Sequence, residues 1–388
     1  MLINLLSKQR REELILPIAL KLTGSELINY KQLSNNFEHY STLFFGSEES
    51  VTVDEPNSIG KIPQGITMSS AAYNISKPFV SEIEDAQLIG AKALGFDRNG
   101  NIITETTLPP VGDLSPRFQG GISIQSLLIK NLPELRKTYK LDIACSLVNY
   151  WSKTYYHWFL DSLTRLEGLE LYQEKTGKKP VLIIDSNPNL WQIESLKLLG
   201  YNLDDCIQWN QKKITLEKLV VPAYRQPGNW ISPSALSWLR QRLFINANIS
   251  EKHSYSKRVY ISRSLASGRR VINEDEVINI LKSYGFIIYN LEKMSLLEQI
   301  KVFSSAEIII GPHGAGFTNI IFSQTKPTII ELVTPWISPH YYFISKILGF
   351  PYWCVECFQP YVHKIRRGKG DMIVNINNLK ELIKQLNF

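Results

Sequence analysis

One stretch of the sequence, EIIIGPHGAGFTNIIF, joins a buried-strand pattern to a glycine loop and an amphipathic helix. The strand pattern ends at Gly311, the loop carries Gly314 and Gly316, and the helix pattern starts at Ala315. Small residues at a helix start expose unpaired amides at the positive end of the helix dipole, where phosphate groups bind. His313 adds a further donor to this loop. The pattern predicts a diphosphate site, although a bare glycine pair also fits a tight strand-to-helix turn.

Charged residues follow two of the neighbouring predicted strands. Arg263 ends the strand pattern KRVYISR, and Arg269 and Arg270 follow it in a glycine-containing loop. Guanidinium groups bind phosphate oxygens through two parallel hydrogen bonds, so these side chains can converge on one diphosphate. Glu331 closes TIIEL, the predicted strand that follows the glycine loop, and an acid at such a strand end commonly binds the ribose hydroxyls of a nucleotide. Taken singly, each of these charges also fits a solvated surface.

A third stretch, TYYHWFLDSLTRL, carries a candidate proton acceptor. His157, Asp161 and Arg165 recur at steps of four and therefore share one face of a predicted helix. A neutral His157 can take a proton from a hydroxyl group, while Asp161 fixes its tautomer and stabilises the imidazolium that forms. The alternative is a hydrogen-bonded histidine beside a surface ion pair between Asp161 and Arg165.

Strand and helix patterns alternate along most of the chain. From about residue 120 we read strands in ISIQSLLI, LDIACSLV and VLIID, and helices over 156–172 and in LWQIESLKLLG. After residue 256 strands and helices alternate regularly, as in a parallel, doubly wound sheet that binds ligands at the carboxyl ends of its strands. Capping boxes at Asn273 with Glu276 and at Ser295 with Glu298 mark two helix starts.

The length of 388 residues indicates two domains with an additional N-terminal element. We expect the last helix to pack back on the N-terminal domain. The predicted segments are an irregular, partly β element over 1–119, a Rossmann-like domain over 120–230, a linker with a connecting helix over 231–256, and a second Rossmann-like domain over 257–388.

Composition indicates a folded, soluble protein, with 44% hydrophobic and 20% charged residues. No apolar run approaches the roughly 20 residues that span a bilayer, so we expect neither a signal peptide nor an anchor. Four scattered cysteines fit a reducing compartment and a cytoplasmic protein.

The net charge is +7, and six of the 43 Lys and Arg residues lie between Glu251 and Ile272. This local excess of positive charge suits a phosphate-bearing ligand or an anionic membrane surface.

The motifs YYHWFLDSLTRL, ISPSALSWLR, YISRSLASGRRVINEDEV and AEIIIGPHGAGFTNIIF, followed by IIEL, resemble glycosyltransferase family 61 in composition and order. The resemblance covers roughly residues 120–357. It implies a GT-B fold of two Rossmann-like domains facing across a cleft, inversion at the anomeric carbon and a UDP-sugar donor. The family's motifs fall on these residues of the chain: His157, Trp158, Arg263, His313, Gly314, Ala315, Gly316 and Glu331. Asn319, in the helix pattern after the glycine loop, is a further candidate donor-site residue.

These patterns together predict a glycosyltransferase that moves a sugar from a UDP-sugar to a glycan or lipid-linked glycan acceptor, as in capsular polysaccharide biosynthesis. The chain contains no DxD motif, so we expect no metal and no cofactor, with Arg side chains and helix amides neutralising the leaving group. The catalytic residue is His157 or Asp161.

Two other functions compete with this interpretation. A nicotinamide-dependent oxidoreductase also uses a glycine loop and a later acid, but the glycines here read GxxGxG and follow the third strand of their domain. A non-catalytic binder of nucleic acid or anionic lipid would use the basic stretch and the loop HKIRRGKG. We expect no nucleic-acid partner, and that loop also suits a peripheral position at the inner face of a membrane.

Overall fold

The structure is a computed structural model, and it describes residues 8–35, 40–69, 72–107, 122, 124–130, 139–226, 230–247, 255–361 and 367–387. The chain divides into two compact units, Met1–Glu49 with Ile75–Leu239 and Ser50–Asn74 with Arg240–Phe388. Residues 248–254 of the predicted linker and 363–366 of the basic loop lie outside the described residues. Each unit contains its own sheet.

The helices lie mainly between the strands. Their bounds are α1 Lys8–Thr23, α2 Tyr30–Ser34, α3 Gln64–Thr67, α4 Ile124–Lys130, α5 Tyr155–His157, α6 Leu166–Thr176, α7 Leu190–Leu198, α8 Pro233–Ala247, α9 Glu274–Ser283, α10 Leu296–Ser305, α11 His340–Leu348 and α12 Ile376–Gln385. A π-helical turn covers Trp158–Ser162. Turns of 3-10 helix cover Thr104–Thr106, Leu163–Arg165, Leu203–Asp205, Leu291–Lys293, Ala315–Phe322 and Arg367–Lys369.

The strands run from the N-terminal region to the last fifteen residues of the chain. Their bounds are β1 Leu27–Ile28, β2 Tyr40–Phe44, β3 Glu49–Thr52, β4 Asn57–Ile59, β5 Ala72–Ile75, β6 Phe79–Ile89, β7 Leu94–Phe96, β8 Ile102–Ile103, β9 Tyr139–Ser146, β10 Val181–Asp185, β11 Cys206–Trp209, β12 Lys213–Pro222, β13 Arg258–Ile261, β14 Ile287–Tyr289, β15 Ile308–Pro312, β16 Thr328–Val333, β17 Tyr352–Phe358 and β18 Ile373–Val374.

The first unit is built on a mixed sheet with the order β1-β8-β7-β6-β12-β9-β10-β11, and β2 also pairs with β6. Strands β12, β9, β10 and β11 are parallel, whereas β6 is antiparallel to β12. The chain adds β10 and β11 on one side of β9, and the later strand β12 pairs with the other side of β9. The strand order therefore reverses between β9 and β12. Ligands bind parallel sheets at the carboxyl ends of the strands beside such a reversal. In this unit that edge lies at the ends of β9 and β12.

The second unit contains a sheet with the order β14-β13-β15-β16-β17-β18, and β4 also pairs with β17. Strands β13 to β17 are parallel, so the predicted parallel α/β arrangement is confirmed here. The order reverses between β13 and β15, which places the loops after these two strands at the expected ligand edge. The last helix, α12, contributes Leu379, Leu382 and Ile383 to the core of this unit.

Two local predictions are wrong. The stretch ISIQSLLI forms helix α4 over its described part, and its Leu127 packs in a cluster with Leu16 of α1. Tertiary packing here overrides the strand preference of the isoleucines. The second is the capping box at Asn273, whose side-chain amide instead pairs with both backbone groups of Val374 in β18. The box at Ser295 and Glu298 is confirmed. Among the described helices, none has the length and apolar content to cross a membrane.

The buried side chain of Arg165 joins the carboxyl ends of β9 and β12. Its Nε donates to the Pro222 carbonyl at 2.9 Å and its Nη1 to the Ser146 carbonyl at 3.3 Å. Its guanidinium carbon lies 4.7 Å from the ring centre of Tyr224. A buried charge that satisfies two strand ends in this way holds the edge of the sheet together.

We therefore expect Arg165→Leu to lower the free energy of unfolding by about 3–5 kcal/mol, because it leaves two buried carbonyl groups without their donor and buried acids without a counter-charge. Urea denaturation checks this value. The matched control is Arg98→Leu in the same unit, which removes a partly exposed pair with Asp85 and should cost less than about 1 kcal/mol. Equal costs for the two variants would contradict the role given to Arg165.

Candidate functional site

The glycines after β15 allow close packing between this loop and the residues that follow β13. A Cβ atom on Gly314 would lie 2.1 Å from Nη1 of Arg263, and one on Gly311 would lie 2.9 Å from Cβ of Ile261. A Cβ on Gly316 would lie 2.9 Å from Cδ1 of Leu291. The loop therefore needs glycine for close approach, and Gly314 lets a guanidinium group lie against the main chain.

Arg263 lies two residues beyond the end of β13 with part of its hydrogen-bonding capacity unused. Its Nη2 donates to the Gly268 carbonyl at 3.0 Å, while its buried Nε has no partner among the described residues. Burial lowers the pKa of Arg263, and the neighbouring charge of Arg269 lowers it further. Arg269 itself adopts a left-handed backbone conformation with φ of 58°. Two nearby cations, of which Arg263 has an unused donor among the described residues, favour an anionic ligand.

His313 belongs to a buried chain of hydrogen bonds. Its Nδ1 lies 2.5 Å from Oε1 of Glu331, and the other carboxylate oxygen accepts a hydrogen bond from the Tyr352 hydroxyl. Only 3% of His313 and 1% of Glu331 is exposed. Burial lowers the pKa of His313, although the Glu331 carboxylate opposes this shift. A neutral imidazole that donates from Nδ1 keeps Nε2 for another partner.

The structure brings only some of the predicted donor-site residues together. Arg263, Arg269, His313 and Gly314 lie in one neighbourhood, with Ala315 at the start of the following 3-10 turn. Three others are occupied elsewhere: Asn319 donates to Gln299 Oε1 and the Gly316 carbonyl, Arg270 forms an exposed pair with Asp371, and Glu331 is held between His313 and Tyr352.

A cavity of about 400 Å³ opens at the carboxyl ends of β16 and β17. Its lining includes the aromatic side chains of Trp336 and Phe358 and the amides of Gln359 and Asn378. A Cβ on Gly368 would lie 2.0 Å from the Trp336 carbonyl oxygen, so the 3-10 turn Arg367–Lys369 packs directly beside this cavity. Aromatic walls with a few amide groups are typical of ligand pockets.

In the first unit, His157 and Asp161 form the pair that their spacing predicts. Nδ1 of His157 lies 2.7 Å from Oδ2 of Asp161, and Trp151 stacks on the imidazole with ring centres 4.3 Å apart. The His157 side chain is 20% exposed, whereas that of Asp161 is 1% exposed. Burial raises the pKa of Asp161, and His157 opposes this shift. The arrangement can orient an accessible imidazole nitrogen toward a substrate.

The predicted row of three residues on one helix face is interrupted. A π turn at Trp158–Ser162 and a following 3-10 turn replace the regular helix, and Arg165 donates to the carbonyls of Pro222 and Ser146. Asp161 and Arg165 are each 1% exposed, and the alternative of an ion pair on the helix surface is therefore wrong. Single π turns inside helices occur frequently at functional sites.

The described His, Cys, Asp and Glu side chains bear on two kinds of site, metal sites and reactive thiols. No group of three or more His, Cys, Asp or Glu side chains there has the arrangement of a metal site. Cys354 and Cys357 are buried free thiols on β17, and residues three apart on a strand point to opposite faces. Burial raises the pKa of both thiols to about 12.

Comparison with known proteins identifies similar sequences. A beta-1,2-xylosyltransferase of Arabidopsis thaliana is 28% identical over 131 residues, which cover 30% of this chain and 23% of that protein. The EGF domain-specific O-linked N-acetylglucosamine transferase of Mus musculus is 27% identical over 100 residues, covering 24% of this chain and 19% of that protein. The counterpart in Gallus gallus is 26% identical over 100 residues, with the same coverage. The chain thus spans less than a quarter of the length of these relatives.

A protein-family model described as Glycosyltransferase 61 matches residues 155–330. This range includes His157, Arg263 and the loop from Gly311 to Gly316, which are the residues that the geometry sets apart. The resemblance of the sequence motifs is thereby confirmed for residues 155–330, the part of the chain that the model of glycosyltransferase family 61 matches.

Proposed function

We propose that this protein is an inverting glycosyltransferase that moves a sugar from a nucleotide-sugar, specifically a UDP-sugar, to a hydroxyl group of a glycan or lipid-linked glycan. The observation that carries the proposal is the Arg263 guanidinium against Gly314, beside the reversal of strand order between β13 and β15. Backbone amides and cations at such an edge suit a diphosphate. The match to the family model supports the class of reaction, and the GT-B arrangement forms part of the proposal.

The donor diphosphate binds, in this proposal, to Arg263, Arg269 and Nε2 of His313. These groups offset the negative charge that the leaving nucleoside diphosphate gains, so no metal ion is needed. Glu331 acts through His313: its carboxylate holds the Nδ1 proton and turns Nε2 toward the ligand. This role replaces the ribose contact expected for Glu331, because its two oxygens are already engaged by His313 and Tyr352.

The chemical step is a single displacement. Nε2 of His157 takes the proton of the acceptor hydroxyl, the oxygen bonds to the anomeric carbon, and the bond from that carbon to the diphosphate breaks. Asp161 keeps Nδ1 of His157 protonated and stabilises the imidazolium. Between the two predicted bases we choose His157, because Asp161 is buried and bonded to the imidazole.

A cytoplasmic position, peripheral at a membrane, and a role in capsule synthesis complete the proposal.

Removal of the Arg263 side chain should weaken UDP binding about 10- to 100-fold, the effect of losing a charge-assisted hydrogen bond to phosphate. Calorimetric titration with UDP in EDTA measures this change and also tests metal independence. Lys257→Ala is the matched control, since Lys257 precedes the opposite end of β13 and forms an exposed pair with Glu307. Binding of NAD in place of UDP would favour an oxidoreductase, and equal UDP affinity in both variants would remove Arg263 from the site.

UDP binding should be accompanied by proton uptake at His313. Burial holds the pKa of the free imidazole below its usual range, so the group is neutral at about pH 7. A bound diphosphate favours the charged form and raises this pKa, so protons enter as UDP binds. Calorimetric titrations with UDP in buffers of different ionisation enthalpy measure the number of protons taken up. His313→Asn should take up fewer protons than the wild type, and an equal number would refute the contact between His313 and the diphosphate.

His157→Ala should abolish sugar transfer and leave UDP affinity within about twofold, because the imidazole acts on the acceptor and not on the donor. Asp161→Asn keeps the shape of the pair but favours the wrong tautomer, and it should lower the rate about 10⁴-fold. Radiolabelled sugar transfer measures both rates. Full activity in His157→Ala would exclude this residue as the base.

A further inference from the structure

Asp185 is a buried acid to which neither the sequence patterns nor the proposed reaction gives a role. It is the last residue of β10, only 4% of it is exposed, and its Oδ2 has no hydrogen-bond partner among the described residues. An unpaired carboxylate oxygen in a protein interior is unfavourable and is usually satisfied by a donor. Among the described residues, no protein group supplies a donor to this oxygen.

The position of Asp185 relates it to the proposed catalytic pair. Strand β10 lies beside β9, and the Leu147 amide, just after β9, donates to the Ile183 carbonyl at 2.9 Å. The segment that continues from there to His157 is bonded to the end of β10, because Nζ of Lys153 donates to the Ser186 carbonyl at 2.6 Å. Asp185 and His157 therefore lie at the same carboxyl edge of the same sheet.

The same edge holds a second unpaired acceptor and an aromatic surface. Oδ1 of Asp161 is also buried without a partner among the described residues. Trp151 stacks on His157, and the adjacent Tyr150 is 52% exposed. Acceptor oxygens beside aromatic faces are the two features that recognise a sugar, whose hydroxyl groups donate hydrogen bonds and whose carbon-bound hydrogens pack on rings.

The charges at this edge favour a neutral ligand over a cation. The ammonium group of Lys153 lies at the end of β10 and would repel a metal ion. The described residues contain no cluster with the arrangement of a metal site. An anionic ligand is disfavoured by the carboxylates of Asp161 and Asp185 themselves. Neutral hydroxyl groups satisfy these oxygens without either conflict.

We infer that Asp185 binds a hydroxyl group of the acceptor sugar and thereby helps to select a neutral glycan as the substrate that His157 deprotonates. This inference rests on the proposed function, because it names the acceptor class of the same reaction. Asp185 is a binding and specificity residue and takes no part in the proton transfer.

The unfolding temperature distinguishes a ligand-binding role of Asp185 from a structural role. A structural carboxylate has donors within the protein, so its replacement by Asn lowers stability. A carboxylate that waits for a ligand costs stability in the free protein, and its replacement by a neutral isostere leaves the unfolding temperature unchanged or raises it. Asp185→Asn keeps the shape of the side chain, so it tests this difference without opening a cavity.

The experiment uses the full chain with saturating UDP and records saturation-transfer NMR of methyl glycosides of xylose, glucose, galactose, mannose and N-acetylglucosamine. Wild-type protein should give signals with at least one glycoside, and Asp185→Asn should bind that glycoside about tenfold more weakly. Asp204→Asn is the matched control, since it removes one exposed acid from the same unit. The unfolding temperature of each variant is measured in parallel, and UDP affinity is titrated in the same samples.

Weaker glycoside binding together with an undiminished unfolding temperature in Asp185→Asn would support the inference. Equal glycoside binding by the variant, a lower unfolding temperature, or no glycoside signal from wild-type protein that binds UDP would each overturn it. Absence of UDP binding by the wild type would instead count against the proposed function, so the two failures are distinguishable.

Discussion

Arg263 can lie against the loop after β15 only because residue 314 has no side chain. The guanidinium occupies the space that a Cβ on Gly314 would take, and this contact joins the two loops on either side of the strand reversal in the second unit. Around it, Gly311 and Gly316 allow the same close approach to Ile261 and Leu291. The donor site we propose depends on this absence of side chains, since any bulk would displace the charge that faces the phosphates.

The pairs His157–Asp161 and His313–Glu331 in the described part of the chain differ in burial, and the roles that we propose for them follow this difference. The side chains of His313 and Glu331 are both almost fully buried, and burial lowers the pKa of His313. A neutral imidazole at this position can gain a proton when a negatively charged ligand binds. His157 is one-fifth exposed while its partner Asp161 is enclosed, which suits the ring to exchange a proton with a substrate hydroxyl. In both pairs the buried acid holds Nδ1, so the ligand meets Nε2.

The sequence predicts the second unit far better than the first. Between 257 and 358 the order of strands and helices matches the structure, because buried parallel strands are continuous apolar runs with clear turns between them. The helix predicted from Ala315 is the exception, since Ala315–Phe322 forms a 3-10 helix. The N-terminal part is harder, since β6 over Phe79–Ile89 pairs with β12 over Lys213–Pro222, and no local pattern encodes such a distant pairing. Likewise, spacing predicts the His157–Asp161 contact, but it predicts neither the π turn at Trp158–Ser162 nor the hydrogen bonds from Arg165 to distant carbonyl groups.

Site residues follow the same division. A motif shows that Glu331 and Asn319 matter but cannot tell a ligand contact from a support, because that depends on which atoms fill their hydrogen bonds. Asp185 is the opposite case, because the pattern VLIID predicts an ordinary buried strand and gives Asp185 no role. Only the structure shows that its Oδ2 has no partner among the described residues. Thr334 after β16 and Arg263 after β13 also carry buried atoms that have no partner among the described residues. Unsatisfied polar atoms at strand ends lower stability, so a fold keeps them where a ligand completes them.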